Sequence, residues 1–284
     1  MANTGIIESA LLAAGGIEMV SPSKVSGLDG RRIGRRIGNA LEFAEYRDYQ
    51  AGDDIRRLDW GVYMRSEQLM VKQYNEEVDP RCDIIIDHSA SMSCPENKAA
   101  ACLGIATVLA AAAAHAGFTL AVWHAGDEWH KEPSPEMPLE WTSTEFGALA
   151  SPGDTIMSFT GNMLPRGIRI VLSDFLWPAS PAPFLQRLCE GARRVYLVRL
   201  DFSEEYSAAD YGNLTMEDAE TGEERELLLD GQSITRFRER LERHHGIWQK
   251  AADEAGAAIF DIGPEEIRVN WAIPSLSQKG IVKI

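Results

Sequence analysis

The stretch Cys82-Asp83-Ile84-Ile85-Ile86-Asp87-His88-Ser89-Ala90-Ser91-Met92 decides the fold. An apolar run ends in an aspartate, two serines follow at alternating positions, and an alanine-rich helical pattern comes next. In an open α/β sheet, a polar loop between a buried strand and a helix is the usual place for a ligand site. The pattern therefore predicts a strand, a binding loop and a helix in that order.

Composition narrows the class of protein. The 284 residues, 45% of them hydrophobic, are enough for one large domain or for a domain with an extension. The net charge of −15 predicts a surface that repels nucleic acid and anionic lipid. Four cysteines without a CxxC pair or a zinc spacing predict reduced thiols in a cytoplasmic protein. The most apolar stretch, 99–116, is alanine-rich and too short for a membrane span, and no signal peptide is expected.

Strand and helix patterns alternate after residue 80, which predicts a mainly parallel, doubly wound (Rossmann-like) sheet. The predicted strands are 83–87, 118–124, 127–130, 168–172, 194–200 and 257–262. The predicted helices are 97–116, capped by Asn97 or a nearby residue, a short one over 155–164 capped by Asp154, 181–190, and 233–256, capped by Ser233. Residues 213–230 interrupt this rhythm and predict an inserted β-hairpin. The expected organisation is an N-terminal extension (1–80), the α/β domain (81–265) and a C-terminal tail (266–284).

Two aspartates end predicted strands of this sheet. A strand order of 3-2-1-4-5-6 would bring Asp87 and Asp174 together at the point where the winding reverses, beside Ser89 and Ser91. Carboxylates and hydroxyls are hard oxygen donors that suit Mg²⁺ or Mn²⁺. The alternative is that these side chains only cap the following helix. The second strand-end aspartate favours the metal.

Catalytic readings are less well supported by the motif. A serine hydrolase would need Gly-x-Ser-x-Gly, and both glycines are missing around Ser89. A haloacid-dehalogenase-like enzyme would need an Asp-x-Asp motif, but in this sequence Ser89 stands at the position of the second aspartate. A metal-dependent phosphoester hydrolase that uses the same acids stays open as an alternative. Five histidines are interpreted as surface or packing residues without partners, namely His115, His124, His130, His244 and His245.

The segment before the sheet is rich in charge. Acids and arginines alternate around Tyr46, Tyr49 and Trp60, which predicts a lattice of ion pairs with aromatic anchors. Further upstream, glycines separate four arginines that could hold phosphate or nucleic acid, although the acidic surroundings favour a solvated connector. These arginines are Arg31, Arg32, Arg35 and Arg36.

Several of these motifs resemble known families. The run Asp87 to Met92 resembles the Asp-x-Ser-x-Ser metal-site motif of von Willebrand factor A domains. The run Gly52 to Trp60, with the strand pattern 69–74 and the acids after it, resembles the signature of the domain-of-unknown-function 58 family. Ser173-Asp174-Phe175 is similar to that family's later motif. The resemblance covers about residues 25–265, and it implies a von Willebrand factor A-like fold with an N-terminal extension that carries the signature.

The resemblance also implies a metal-ion-dependent adhesion site (MIDAS). In such a site Ser89 and Ser91 bind Mg²⁺ directly, whereas Asp87 and Asp174 act mainly through water. A threonine from another loop contributes, for which Thr155 is the candidate. The alternatives for this position are Ser151, Thr142 and Thr144.

The same resemblance implies a role in protein–protein interaction without catalysis. A carboxylate from a client protein would fill the open metal position. Family members are thought to work with MoxR-type AAA+ ATPases in the assembly or maturation of other complexes. The implied partners are therefore such an ATPase and a client protein, with no nucleic acid and no membrane span.

Overall fold

The structure, a computed structural model, describes residues 2–21, 41–50, 52–76, 80–142, 145–202, 212–219, 221–267, 271 and 273–284. The four arginines of the upstream cluster and Thr144 lie outside the described residues. The chain forms two compact units, one of residues 1–21 with 80–284 and one of residues 22–79. Residues 1–21, which the sequence analysis grouped with the extension, thus make their contacts within the α/β unit.

Helices and strands alternate through most of the chain. In chain order they are α1 (Ala2–Ala13), β1 (Glu18–Met19), β2 (Leu41–Asp48), α2 (Trp60–Ser66), β3 (Met70–Glu76), β4 (Arg81–Asp87), α3 (Glu96–His115), β5 (Thr119–Ala125), β6 (Trp129–Lys131), α4 (Pro152–Thr155), β7 (Ile168–Ser173), α5 (Pro181–Cys189), β8 (Arg194–Leu200), β9 (Gly212–Glu217), β10 (Glu224–Leu229), α6 (Gly231–Ala255), β11 (Ala258–Ile262), α7 (Pro264–Ile267), α8 (Pro274–Gln278) and β12 (Val282–Lys283).

The central sheet has six strands in the order β11-β8-β7-β4-β5-β6. All its neighbours are parallel except β6, which is antiparallel to β5 at the edge. Numbered along the chain, this order is 3-2-1-4-5-6, the order that was assumed above to bring Asp87 and Asp174 together. The fold class is therefore confirmed, and so is the inserted hairpin, in which β9 pairs antiparallel with β10. The ends of β4 and β7 are neighbours, with Ile86 opposite Leu172.

Both faces of the sheet are covered, which explains the unbroken apolar run in β4. Ile84 and Ile86 belong to one buried cluster, with side chains of α1 and α3. Ile85 belongs to a second cluster, with side chains of α5 and α6. Because alternate side chains of a strand point to opposite faces, each isoleucine is fully buried. Burial of each such side chain stabilises the fold by roughly 1.5–3 kcal/mol.

Helix α3 is the central helix of the first face. Among the described residues, the stretch Asn97–His115 of this helix is long and apolar enough to cross a membrane. However, 78% of its most apolar part is buried inside the unit. That burial is typical of a core helix. The helix starts at Glu96, and its N-cap residue is Pro95, so the cap is a residue near Asn97 and Asn97 itself lies inside the helix. Pro95 is tolerated at this position because a residue at the start of a helix does not need to donate a backbone hydrogen bond.

Two other caps differ from the prediction. Asp154 does not cap a helix over 155–164. Instead, Ser151 caps the short helix α4, and Asp154 is the third helical residue of a capping box. Pro152 fits the first helical position, which moves the cap to the residue before it. Likewise Asp230 caps α6, and its carboxylate accepts the backbone N–H of the predicted cap, Ser233.

The smaller unit, residues 22–79, contains the antiparallel pair β2–β3 and the helix α2. Asp59 caps α2, accepts the Tyr46 hydroxyl at 2.7 Å and pairs with Lys72 at 3.0 Å. Arg47 pairs with Asp53 at 2.8 Å. Hydrogen bonds from Tyr46 and Lys72 hold the pKa of Asp59 below its ordinary value. The predicted lattice of ion pairs is thus present, and it serves structure.

Candidate functional site

The motif loop, residues Asp87 to Cys94, leaves the carboxyl end of β4. Asp87 is fully buried, and its two carboxylate oxygens accept the backbone N–H of Ser89 at 2.8 Å and the hydroxyl of Ser173 at 2.6 Å. Because Ser173 is the last residue of β7, the Asp87 side chain ties two neighbouring strand ends together. Burial, and secondly the nearby Asp174 carboxylate, raise the pKa of Asp87 to about 7.

The two serines of the motif form a hydroxyl pair. Their Oγ atoms lie 3.1 Å apart, with Ser89 buried and Ser91 half-buried. Neighbouring ligands of an octahedral Mg²⁺ at about 2.1 Å lie about 3 Å apart. The spacing of this pair therefore fits two ligands of one metal ion.

The second strand-end aspartate is already paired with a cation of the protein. Oδ2 of Asp174 lies 2.8 Å from Nζ of Lys98, and the side chains are 3% and 1% exposed. Oδ1 of Asp174 accepts the backbone N–H of Leu176 at 3.0 Å. Lys98 lies in the first turn of α3 and was not singled out from the sequence. A lysine at a helix start could have given a signal, because the positive end of the helix dipole disfavours it there.

Thr155 is turned to other partners. Its hydroxyl contacts the carbonyl oxygens of Gly126 at 3.0 Å and Ser151 at 3.1 Å, and it accepts the indole N–H of Trp129 at 2.9 Å. Within the described part of the chain, no hydrogen bond joins Thr155 to the motif loop. Of the alternatives, Ser151 is bonded to Asp154 and Thr142 to Glu132.

A different residue stands beside the motif loop. Ser89 forms a β-bridge with Ala148, and the Ala90 N–H donates to the Ala148 carbonyl at 2.8 Å. The Ala148 N–H donates to the His88 carbonyl at 2.9 Å. Gly126 permits this approach, since a Cβ there would lie 2.6 Å from the Ala148 Cβ. The neighbouring loop thus places the backbone of Ala148, a residue without a side-chain hydroxyl, beside Ser89.

The five predicted ligands, taken as a set, do not fit a divalent cation in this arrangement. Ser89 and Ser91 have a suitable spacing, but Asp174 is neutralised by a lysine and Thr155 is bonded elsewhere. Among the described residues, no three His, Cys, Asp or Glu side chains come together as a metal-binding group. The binding of Mg²⁺ or Mn²⁺ stays a prediction, to be settled by titration.

A buried histidine pair joins the motif loop to β5. Nε2 of His88 is 2.7 Å from Nδ1 of His124, whose Nε2 is 3.2 Å from Oε2 of Glu132. The His88 ring also stacks on Phe146. The interpretation of His124 as a residue without partners is therefore wrong. The three polar residues are far apart in the sequence, so no local spacing could have revealed them.

The sheet and the loop together define a class. A six-stranded, mainly parallel sheet with one antiparallel edge strand and an Asp-x-Ser-x-Ser loop after its first strand is a von Willebrand factor A-like α/β domain. Residues 45–137, which include the charged signature and the motif loop, match the family model described as "Protein of unknown function DUF58". This match confirms the predicted resemblance to the DUF58 family over residues 45–137.

The other comparisons name no activity. An uncharacterized protein of Mycobacterium bovis and one of Mycobacterium tuberculosis are each 24% identical over 264 residues, which is 87% of this chain and 82% of theirs. A solved structure, the von Willebrand factor type A protein from Catenulispora acidiphila, is 13% identical with a TM-score of 0.42. That alignment covers 75% of this chain and 44% of the other.

Proposed function

We propose that this chain is a non-enzymatic, cytoplasmic interaction protein that binds its partner with the motif loop. The proposed partner is a MoxR-type AAA+ ATPase, and the proposed role is the assembly or maturation of other complexes with a client protein. The observation that carries the proposal is the chemistry of the motif loop. It offers a pair of hydroxyls at the carboxyl edge of the sheet, and among the described hydrogen bonds none joins a histidine to either hydroxyl.

The hydrogen bonds of the motif loop favour binding over catalysis. A serine nucleophile needs a base within hydrogen-bond reach. The Ser89 hydroxyl instead contacts the Ser91 hydroxyl, and the His88 ring points to His124 and to a backbone carbonyl. Among the described hydrogen bonds, none joins a histidine to either serine. The Ser91 hydroxyl, which is half-buried, is thus accessible to a partner, whereas the Ser89 hydroxyl is buried.

Apolar side chains flank the motif loop. Leu149, which follows the bridged residue Ala148, is 67% exposed, and Leu176, two residues after Asp174, is 40% exposed. Protein interfaces combine apolar contacts with a smaller number of oriented hydrogen bonds. The net charge of −15 further favours a partner with a basic surface.

The rival function is a metal-dependent phosphoester hydrolase that uses the same acids. It would need Asp87 and Asp174 to hold a catalytic ion. The pairing of Asp174 with Lys98 argues against this arrangement. Turnover of a generic phosphoester by purified protein, lost in Asp87→Asn, would favour the hydrolase instead.

The direct test is binding between the purified chain and a purified MoxR-type ATPase from the same organism, measured by biolayer interferometry. We expect the double variant Ser89→Ala/Ser91→Ala to weaken binding at least about tenfold, which corresponds to about 1.4 kcal/mol. The matched control is Ser158→Ala, an exposed serine outside the motif loop. Wild-type affinity in the double variant, or equal loss in the control, would contradict the proposal.

A further inference from the structure

The cation at this edge of the sheet is part of the chain itself. We infer that the Lys98 ammonium group takes the place of a divalent ion at the motif loop, so that the loop keeps its shape and binds without metal. The inference deepens the proposed function, because it concerns the same loop. It is tested on the isolated protein, so it can fail or hold independently of any partner.

The burial of Lys98 indicates that its charge is held in place by Asp174. Lysine is almost never fully buried unless it is paired, and here both Lys98 and Asp174 are withdrawn from water at a separation of 2.8 Å. The start of α3 is the unfavourable end of the helix dipole for a positive charge. The position of Lys98 is therefore explained by the carboxylate it meets, and not by the stability of its own helix.

The remaining donors agree with a site completed by the protein. Each oxygen of Asp87 accepts a hydrogen from the chain, one from the Ser89 backbone and one from the Ser173 hydroxyl. The second oxygen of Asp174 accepts the Leu176 N–H. All four carboxylate oxygens thus have donors without an added ion.

Charge balance supports the same conclusion. The Lys98 ammonium group already offsets the charge of the Asp174 carboxylate. A divalent ion added beside the ammonium group would have to overcome the repulsion between like charges in a poorly solvated place. Removal of the lysine charge would leave two carboxylates and two hydroxyls, which is a hard oxygen set that suits Mn²⁺.

The experiment is a calorimetric and thermal-shift titration of the pure protein with Mn²⁺. For the wild type we expect no binding tighter than about 1 mM and no rise in melting temperature. For Lys98→Met we expect a lower melting temperature without metal, and binding of Mn²⁺ that restores it. The double variant Lys98→Met/Asp174→Asn is the control. It removes both charges, and we expect it to fold and to ignore Mn²⁺.

Two outcomes would overturn the inference. The first is wild-type binding of Mn²⁺ well below about 1 mM that disappears in Asp87→Asn. The second is a folded Lys98→Met variant that does not bind Mn²⁺. If Lys98→Met does not fold, the wild-type titration still decides, because tight binding there contradicts a site completed by lysine. Failure of the ATPase to bind would leave these results unchanged.

Discussion

Nε2 of His88 lies 2.7 Å from Nδ1 of His124, and this contact fixes where the protons of a buried network are. Nδ1 of His88 is 2.8 Å from the carbonyl oxygen of Glu145, which can only accept, so Nδ1 carries the hydrogen. In a neutral His88 ring, Nε2 must then accept from His124. His124 therefore meets Glu132 with its other nitrogen, and one proton lies between them.

The first prediction concerns this shared proton. In Glu132→Gln, one amide atom cannot both donate to His124 and accept from the backbone N–H and the hydroxyl of Thr142. We expect the free energy of unfolding, measured by urea denaturation, to fall by about 1–3 kcal/mol. The control Glu140→Gln is exposed and should change it by less than about 0.5 kcal/mol. Equal stability of the two variants would contradict the proton assignment.

The second prediction concerns pH. Asp83 is buried in β4, where its oxygens accept the Trp123 indole N–H at 2.8 Å and the Leu164 backbone N–H at 2.9 Å. Burial raises the pKa of Asp83 from 3.8 to about 6, despite these bonds. The folded protein therefore holds a proton that the unfolded chain has lost between these pH values. Stability from this group is full below the lower value and is lost as the pH rises through the upper one.

Asp83→Asn removes the titrating group and therefore tests the predicted direction of the change in stability with pH. The free energy of unfolding of the wild type, relative to the variant, should be about 2 kcal/mol greater near pH 4 than near pH 7. Urea denaturation at both pH values measures this double difference. A difference that does not depend on pH, or one that grows in the opposite direction, would show that Asp83 is not destabilised by burial.

The third prediction concerns Thr155. Thr155→Val keeps the shape of the side chain but leaves the Trp129 indole N–H without its acceptor and removes the threonine donor from the Gly126 carbonyl oxygen. We expect a loss of about 1–3 kcal/mol in the free energy of unfolding. Thr160→Val, at an exposed position, is the matched control. If Thr155→Val kept full stability and abolished binding of Mn²⁺, Thr155 would be a metal ligand after all.

The fourth prediction concerns the packing of α4 on an indole ring. A Cβ at Gly153 would lie 2.2 Å from Nε1 of the buried Trp177, whose rigid ring cannot move aside. Gly153→Ala should therefore lower the free energy of unfolding by about 1–3 kcal/mol. Gly246→Ala in α6 meets nothing within 4 Å among the described residues. It should instead stabilise the protein by about 0.5–1 kcal/mol, so thermal melts should move in opposite directions.

Much of the fold could be predicted because its signals are local. The apolar run of β4 and the aspartates at the ends of β4 and after β7 define the sheet edge without any knowledge of contacts. The strand order then follows from the usual winding of parallel sheets. The positions of Asp87, Ser89 and Ser91 were predictable for the same reason.

The remaining parts of the site depend on tertiary contacts. The sequence cannot tell which loop lies against Ser89, so Thr155 was chosen from its position in the chain, whereas Ala148 is the neighbour. Nor can it tell how far a lysine reaches from the first turn of α3. The cap of α4 was misplaced for a smaller reason, because Ser151 and Asp154 both carry capping side chains and only the backbone geometry separates their roles.

The bridge between Ser89 and Ala148 has a consequence for how binding specificity can change. The path of the motif loop depends on backbone hydrogen bonds to residues 147 and 148, which no motif search would include. Substitutions or length changes in the connection 133–150 can therefore reshape the loop while every letter of Asp87 to Met92 is retained. Conversely, the motif transplanted alone into another sheet would bring its side chains without the backbone template that positions them. Engineering of this surface has to move both loops as one piece.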